Sequence, residues 1–204
     1  MKRYFTILAV LALSSAVFSG TSFAVPITFT HSGMGAGSIG GNAFFSSAFT
    51  ITALGNTSNV QGSLGIFVLE HDSASITIDG IGTFDFVTAT RTFFNDNVDN
   101  PGFGLSSGSD LFDGPTSALL DGWDMLSSIG PIAGNMTLLQ WDLLPVNTTG
   151  GVLVFESGIA AGGFEATVIP EPGTLVLVSI GLLGQIGYSR RQQRRRRKDV
   201  PHKS

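Results

Sequence analysis

Apolar and polar side chains alternate with a period of two along most of residues 25–169, which is the pattern of half-buried β-strands. The strongest runs cover residues 43–53, 73–79 and 83–94, the last being the longest. Further strands are predicted over residues 26–30, 63–70, 135–143, 151–156 and 163–168. Long amphipathic helical patterns are missing from this region. The pattern predicts an all-β fold, an antiparallel β-sandwich or jelly roll.

The stretches between these runs are rich in glycine, asparagine, aspartate and serine, which favour turns and loops. Residues 33–42 are predicted to form a glycine-rich turn, and residues 54–59 a polar loop. Residues 95–108 show no periodicity and predict a loop of about 14 residues, a length at which loops are often functional. Residues 110–128 predict short turns, or a strand with one helical turn.

The N-terminus has the three parts of a secretory signal peptide. Lys2 and Arg3 precede an apolar run over residues 4–17, and Ser22-Phe23-Ala24 has the small-x-small form of a cleavage site. We expect a signal helix and cleavage by signal peptidase between Ala24 and Val25.

The C-terminus also has three parts. Pro170, Glu171 and Pro172 precede an apolar run over residues 174–188, which predicts a transmembrane helix. A run of about 15 residues is short, because a helix needs about 20 residues to cross the hydrocarbon core. A basic end over residues 190–198 follows and predicts a cytoplasmic stop-transfer segment, with Arg190, Arg191, Arg194, Arg195, Arg196 and Arg197.

This ordered tail resembles the PEP-CTERM sorting signal of exported bacterial proteins. The resemblance covers about a sixth of the chain, and it implies recognition and cleavage near residues 170–172 by an exosortase, a membrane-embedded protease-transpeptidase. It further implies a transient stay in the inner membrane, then the cell surface or the extracellular space, in Gram-negative bacteria that make extracellular polysaccharide. An ordinary C-terminal anchor is the alternative. The predicted organisation is a signal peptide (1–24), an ectodomain (25–168) and a sorting tail (169–204).

The charged residues are segregated between these parts. Between residues 25 and 169 the chain has thirteen acidic side chains and one basic side chain, Arg91, so this part has a formal charge of −12. Such a surface repels nucleic acid and anionic membranes. The chain has no cysteine, which excludes disulfides, thiolate metal sites and a cysteine nucleophile.

Two glycine motifs match known functional patterns but lack the structural context that their chemistry requires. Gly35, Gly37 and Gly40 match a dinucleotide-binding fingerprint but lead into a strand-like run, whereas that site requires a helix. Ser106 lies in a G-x-S-x-G match within the polar loop and has no suitably ordered histidine and aspartate. We expect both segments to be turns or loops.

Two segments contain residues that could bind a metal ion. Glu70-His71-Asp72 would need His31 beside it to form a metal site with two histidines and a carboxylate. In the polar loop, the side-chain oxygens of Asn95, Asn97 and Asp99, or those of Asp96 and Asp99, are a candidate Ca²⁺ site, although the spacing is not that of an EF-hand. Further ligands could come from Asp110, Asp113, Asp121 and Asp124. A solvated loop is the simpler interpretation, so we expect no obligatory cofactor.

The ectodomain is therefore predicted to be a non-enzymatic structural or adhesive module, associated with exopolysaccharide or biofilm. The first alternative is a carbohydrate- or Ca²⁺-binding module, for which Trp123 and Trp141 could stack on sugars; both are more easily explained as core residues. A glycan-active enzyme with a pair of carboxylates is the less favoured alternative.

Overall fold

The computed structural model describes residues 24–157 and 161–170, together with Gly181. The predicted signal helix and, except for Gly181, the predicted tail helix and basic end lie outside these residues. The chain divides into two compact units, Met1–Val168 and Ile169–Ser204. The first unit contains two antiparallel β-sheets, so the all-β prediction is confirmed and a sandwich architecture fits.

The first sheet, sheet A, has eight strands. They are β1 Pro26–Ile39, β2 Asn42–Asn56, β5 Ser73–Ile78, β6 Gly82–Asp85, β10 Ile129–Gly134, β12 Val146–Thr148, β13 Gly151–Ser157 and β14 Gly162–Val168. The main order is β10-β14-β1-β2-β5-β6, and β13 pairs with both β1 and β12. The long strand β1 pairs along one side with β2 and along the other with β14 and then β13.

The second sheet, sheet B, has six strands. They are β3 Gln61–Ser63, β4 Ile66–Glu70, β7 Thr90–Asn95, β8 Asn100–Leu105, β9 Asp110–Asp113 and β11 Thr137–Leu138, in the order β11-β9-β8-β7-β4-β3. Two 3-10 helical turns, Thr57–Asn59 and Ala118–Leu120, lie in the connections. The chain passes from sheet B to sheet A between β4 and β5, and returns between β6 and β7.

Alternate residues of both sheets form a shared aromatic core. From sheet A, Phe49 and Phe155 point inward, and their rings lie 5.0 Å apart. Phe103 and Phe112 of sheet B stack at 5.7 Å, and Trp141 lies nearly parallel to Phe112 at 5.9 Å. All five side chains are buried. This aromatic contact between the sheets buries apolar surface in a domain that has no disulfide.

The predicted turn over residues 33–42 is wrong for most of its length. Residues 33–39 continue β1, and only Gly40 and Gly41 turn, with φ of +56° and +85°. A Cβ atom on Gly35 would lie 2.6 Å from the Phe155 ring, and one on Gly37 would collide with the Val154 carbonyl oxygen. Gly35 and Gly37 allow β1 to pack closely against the backbone and side chains of β13, which a residue with a Cβ atom would prevent.

The predicted loop over residues 95–108 is also wrong in part, because β8 lies inside it and forms an interior strand of sheet B. A Cβ on Gly102 would overlap the ring of Phe93 on the neighbouring β7. The strand therefore lacks the outward side chains that would have shown alternation. The predicted strand over residues 83–94 divides into β6 and β7, which lie in different sheets, and β10 was not predicted.

Candidate functional site

The two predicted processing positions lie near paired strand ends. Ile27, two residues after Val25, pairs with Val168, two residues before Pro170. The Val25 N–H donates to Thr57 Oγ1 at 3.2 Å, and the Thr57 N–H donates to the Val25 carbonyl at 3.0 Å. Ala24 and Pro170 are exposed. The chain thus enters and leaves sheet A at the same end, with the exit strand β14 held between β1 and β10.

Most of the predicted sorting machinery lies outside the described residues. This holds for Glu171, Pro172 and the arginines from Arg190 to Arg197. Within the part of the chain that the structure describes, none of the helices has the length and apolar character needed to cross a membrane.

The structure brings together the two histidines of the ectodomain. His31 on β1 and His71, just after β4, each place Nε2 near the Thr92 hydroxyl of β7, at 3.3 and 2.9 Å. His71 Nδ1 lies 2.9 Å from Thr90 Oγ1. The ring of Phe103 stacks on His71, and Phe112 meets His31 edge-on. The pair therefore lies in the aromatic core between the sheets.

Burial lowers the pKa of both histidines to about 3, and for His31 the neighbouring His71 adds to the effect. Both rings are consequently neutral at ordinary pH, so each has one N–H donor and one acceptor nitrogen. His31 Nδ1 is buried without a protein partner. A buried bare lone pair costs less than a buried N–H group without an acceptor. The favoured order is thus His31 Nε2–H to the Thr92 oxygen, Thr92 O–H to His71 Nε2, and His71 Nδ1–H to Thr90.

The carboxylates beside His71 do not complete a metal site with the histidines. Glu70 and Asp72 are exposed, whereas His31 is fully buried. Thr92 and Thr90 occupy three of the four histidine nitrogens. The arrangement links the two sheets by neutral hydrogen bonds within the core.

The residues considered for Ca²⁺ form two groups. Asn95 Oδ1 accepts hydrogen bonds from the backbone N–H and from Nδ2 of Asn97, so these two side chains bond to each other within the turn. Asp99, which has φ of +50°, lies with Asp96 and Asp121, and one carboxylate oxygen of each lies within 4.8 Å of the others. Asp121 follows the 3-10 turn Ala118–Leu120, and only the fold distinguishes it from the other aspartates that could add a ligand.

One further acidic cluster lies on the outer face of sheet B. Arg91 donates to Asp110 at 2.9 Å and to the Gly108 carbonyl at 2.8 Å. Burial raises the pKa of Asp113, an effect that a hydrogen bond from Asn100 opposes and the nearby Asp110 carboxylate increases. Arg91 is the only lysine or arginine between residues 25 and 169, and its guanidinium group forms an ion pair with Asp110.

The remaining candidate residues lie in a turn, in a strand or in the core. Ser106 lies in the turn after β8, and its hydroxyl donates to the Thr90 carbonyl at 3.3 Å. Gly35 and Gly37 lie within β1, and the chain continues through Gly40 into β2 rather than into a helix. Trp123 and Trp141 are 5% and 0% exposed, so neither can stack on a sugar at the surface.

Comparison with known proteins identifies the tail. A protein-family model for the PEP-CTERM protein-sorting motif matches residues 168–192. The chain carries a PEP-CTERM protein-sorting motif at its C-terminal end. The PEP-CTERM motif implies an exported protein that an exosortase processes at the membrane and that is then found on the cell surface. No curated protein and no solved structure matches the chain.

The match begins at Val168, the last residue of β14. The PEP-CTERM motif therefore starts where the paired strand ends, and Ile169 alone separates that strand from Pro170.

Proposed function

We propose that the ectodomain is a non-catalytic structural or adhesive module of the cell surface or extracellular matrix, where it associates with exopolysaccharide. The observation that carries the proposal is the position of β14. This strand leads directly into the sorting motif, and it pairs with β1 over seven residue pairs and with β10 on its other side. After cleavage of the tail, an attachment at the C-terminal end of this interior strand would transmit load along the strand, against many backbone hydrogen bonds at once.

The chemistry of the interior supports a non-catalytic role. His31 and His71 are the only histidines between residues 25 and 169; His31 is buried, His71 is half-buried, and both bond to threonine hydroxyls. Ser106, which matches the G-x-S-x-G pattern of serine nucleophiles, donates a hydrogen bond to a backbone carbonyl. General acid–base catalysis by histidine needs a ring that can reach substrate and titrate near the working pH; neither histidine meets these two conditions.

Cell fractionation with intact-mass measurement tests the sorting step of this proposal. We expect a mature chain that begins at Val25, ends near residue 170 and is found outside the inner membrane. Replacing Pro170, Glu171 and Pro172 by alanine should leave Arg190 to Ser204 attached and keep the protein in the inner membrane. The matched control is Pro145→Ala, an exposed proline away from the tail. A wild-type protein that keeps its basic end would contradict exosortase processing.

The adhesive step needs a separate experiment. A strain that exports the chain without residues 26–168, but with both sorting segments, should aggregate and retain polysaccharide less than a strain with the whole protein. Release of sugar fragments from exopolysaccharide by the purified protein would instead support the enzyme alternative.

A second candidate function is Ca²⁺ binding by Asp96, Asp99 and Asp121. Three carboxylates with oxygens this close repel one another, and oxygen ligands of this kind suit Ca²⁺. Among the described hydrogen bonds, Asp96 accepts from the Gly122 N–H at 3.0 Å. The one arginine of the ectodomain is paired with Asp110. A cation would therefore relieve the repulsion.

Thermal melting with added CaCl₂ tests this candidate. We expect the melting temperature to rise with Ca²⁺ in the wild type and to respond much less in Asp99→Asn/Asp121→Asn, since asparagine also tolerates the positive φ at position 99. Asp142→Asn, which alters an exposed aspartate elsewhere, is the control. Equal Ca²⁺ responses in all three proteins would dismiss the site.

A further inference from the structure

A groove of about 530 Å³ opens on the outer side of sheet A, at the edge formed by β5 and β6. It lies where the chain crosses between the sheets twice: at His71–Asp72 on the way into β5, and at Phe86 on the way out of β6. Because β5 and β6 are antiparallel, the start of one lies beside the end of the other. The two crossings form the walls of the groove, and the strands form its floor.

The floor is a regular array of hydroxyl groups. The outward residues Thr52 and Ser75 are directly paired across β2 and β5, and Ser75 is paired with Asp85 on β6. In the adjacent row, Leu54 lies between Thr28 and Ser73. A hydroxyl group can donate and accept, whereas an ionised carboxylate only accepts. The groove thus offers donors and acceptors about 4.8 Å apart along each row, the spacing of neighbouring strands.

Two exposed carboxylates and a small apolar surface complete the lining. Asp72 and Asp85 are exposed, and among the hydrogen bonds of the described residues only their backbone groups take part. Leu54 is 38% exposed, whereas Phe86 at the other wall is half-buried, and its ring packs inward against Phe103 and Trp141. The lining contains no lysine or arginine, so it has nothing to attract a phosphate, a sulfate or a uronic acid.

We propose that this groove binds a neutral saccharide. Vicinal hydroxyls of a sugar would donate to Asp72 and Asp85 and exchange hydrogen bonds with Thr52 and Ser75, while a C–H face of the ring would pack on Leu54. Neutral charge, many hydroxyls and one apolar face are the ligand properties that this lining complements. The inference rests on the proposed surface role, to which it adds the place and chemical class of the ligand.

Binding of the full chain in detergent to cellohexaose, maltohexaose and mannohexaose, with EDTA present, tests the proposal. We expect at least one neutral hexasaccharide to bind and the acidic oligomer of alginate not to bind. Asp72→Ala/Asp85→Ala and Thr52→Val/Ser75→Ala should each weaken that binding at least tenfold. The control Asp79→Ala/Asp142→Ala removes the same charge from exposed positions outside the groove and should bind like the wild type.

Equal binding by the groove variants and the control would overturn the proposal and leave the surface role intact. Binding to none of the neutral sugars, or to alginate alone, would also overturn it. Far-UV circular dichroism and the melting temperature establish that each variant is folded. The location of the processed protein in the cell, measured separately, decides the surface role, so the two failures are distinguishable.

Discussion

His31 and His71, forty residues apart in sequence and attached to different sheets, share the hydroxyl group of Thr92. The distances are 3.3 Å from His31 Nε2 and 2.9 Å from His71 Nε2. The groups that surround His31 are the rings of Phe103, Phe112 and Phe164 besides Thr92 and His71, and none of these is charged at neutral pH. A proton on the His31 ring would therefore lie in the core without a counter-ion.

The first prediction is that the domain loses stability in mild acid. The pKa of each histidine is about 3 in the folded protein, against 6.5 when unfolded, so the unfolded chain binds protons first. The stabilisation is complete above pH 6.5 and decreases as the pH falls from 6.5 toward 3. The loss is about 3 kcal/mol at pH 5.5 for the two histidines together. Urea unfolding followed by tryptophan fluorescence measures it.

The control for this prediction is His71→Gln, which removes one of the two titrating groups. Its free energy of unfolding should fall about half as steeply between pH 6.5 and 5, even if its stability at pH 7.5 is lower. A wild-type stability that is flat over this range would show that the histidines titrate normally or are not buried in the folded domain.

The second prediction concerns the shared hydroxyl group. Thr92→Val keeps the shape of the side chain but removes two hydrogen bonds, one buried and one half-buried, so we expect the free energy of unfolding to fall by about 2–4 kcal/mol. Thr77→Val is the matched control, because Thr77 bonds to Thr83 at 2.8 Å on the exposed face of sheet A. It should cost less than about 1 kcal/mol. Equal losses in the two variants would contradict a special role for the buried link.

The third prediction separates core from surface phenylalanines. Phe164 on β14 is 1% exposed and contacts the rings of Phe29, His31 and Trp123. Phe164→Ala should cost about 3–5 kcal/mol, through lost burial and the cavity that remains. Phe45→Ala, at a residue that is 77% exposed, should cost less than about 0.5 kcal/mol. Urea midpoints measure both, and a small effect at Phe164 would argue against the position of β14.

The fourth prediction follows from the charge of −12 between residues 25 and 169. Salt screens repulsion between exposed carboxylates over about 10 Å at 0.1 M. Raising NaCl from 10 to 300 mM should therefore raise the melting temperature by about 3 °C, which corresponds to roughly 1 kcal/mol for a domain of this size. Arg91→Gln removes the one positive side chain and should make the increase larger. A melting temperature that falls with salt would contradict this account.

A strand could be predicted where polar side chains on its outward face alternate with apolar side chains on its inward face. The runs that became β2 and β5 were predicted well, because large inward residues such as Phe49 and Ile51 alternate with polar outward ones. The second half of β1, and β8, have glycine at outward or crowded positions, where a neighbouring ring or backbone occupies the space. A sequence pattern cannot distinguish such a glycine from one in a turn.

The proposed groove could not be predicted from the sequence either. The sequence pattern predicts β6 and β7 as one long strand over residues 83–94. In the structure the chain crosses from sheet A to sheet B between Asp85 and Thr90. That crossing forms one wall of the proposed groove. Nothing local marked it, because both halves alternate in the same register.

The PEP-CTERM motif and the β class of the domain can both be read from local sequence. The motif is a contiguous segment that is read by length, hydrophobicity and charge, and strand periodicity is equally local. Only the tertiary structure decided which distant residues meet: His31 with His71, Asp99 with Asp96 and Asp121, and Asp72 with the groove that includes Asp85. These encounters depend on sheet order and on where the chain crosses between sheets, which follow from packing of the whole core and not from any one stretch.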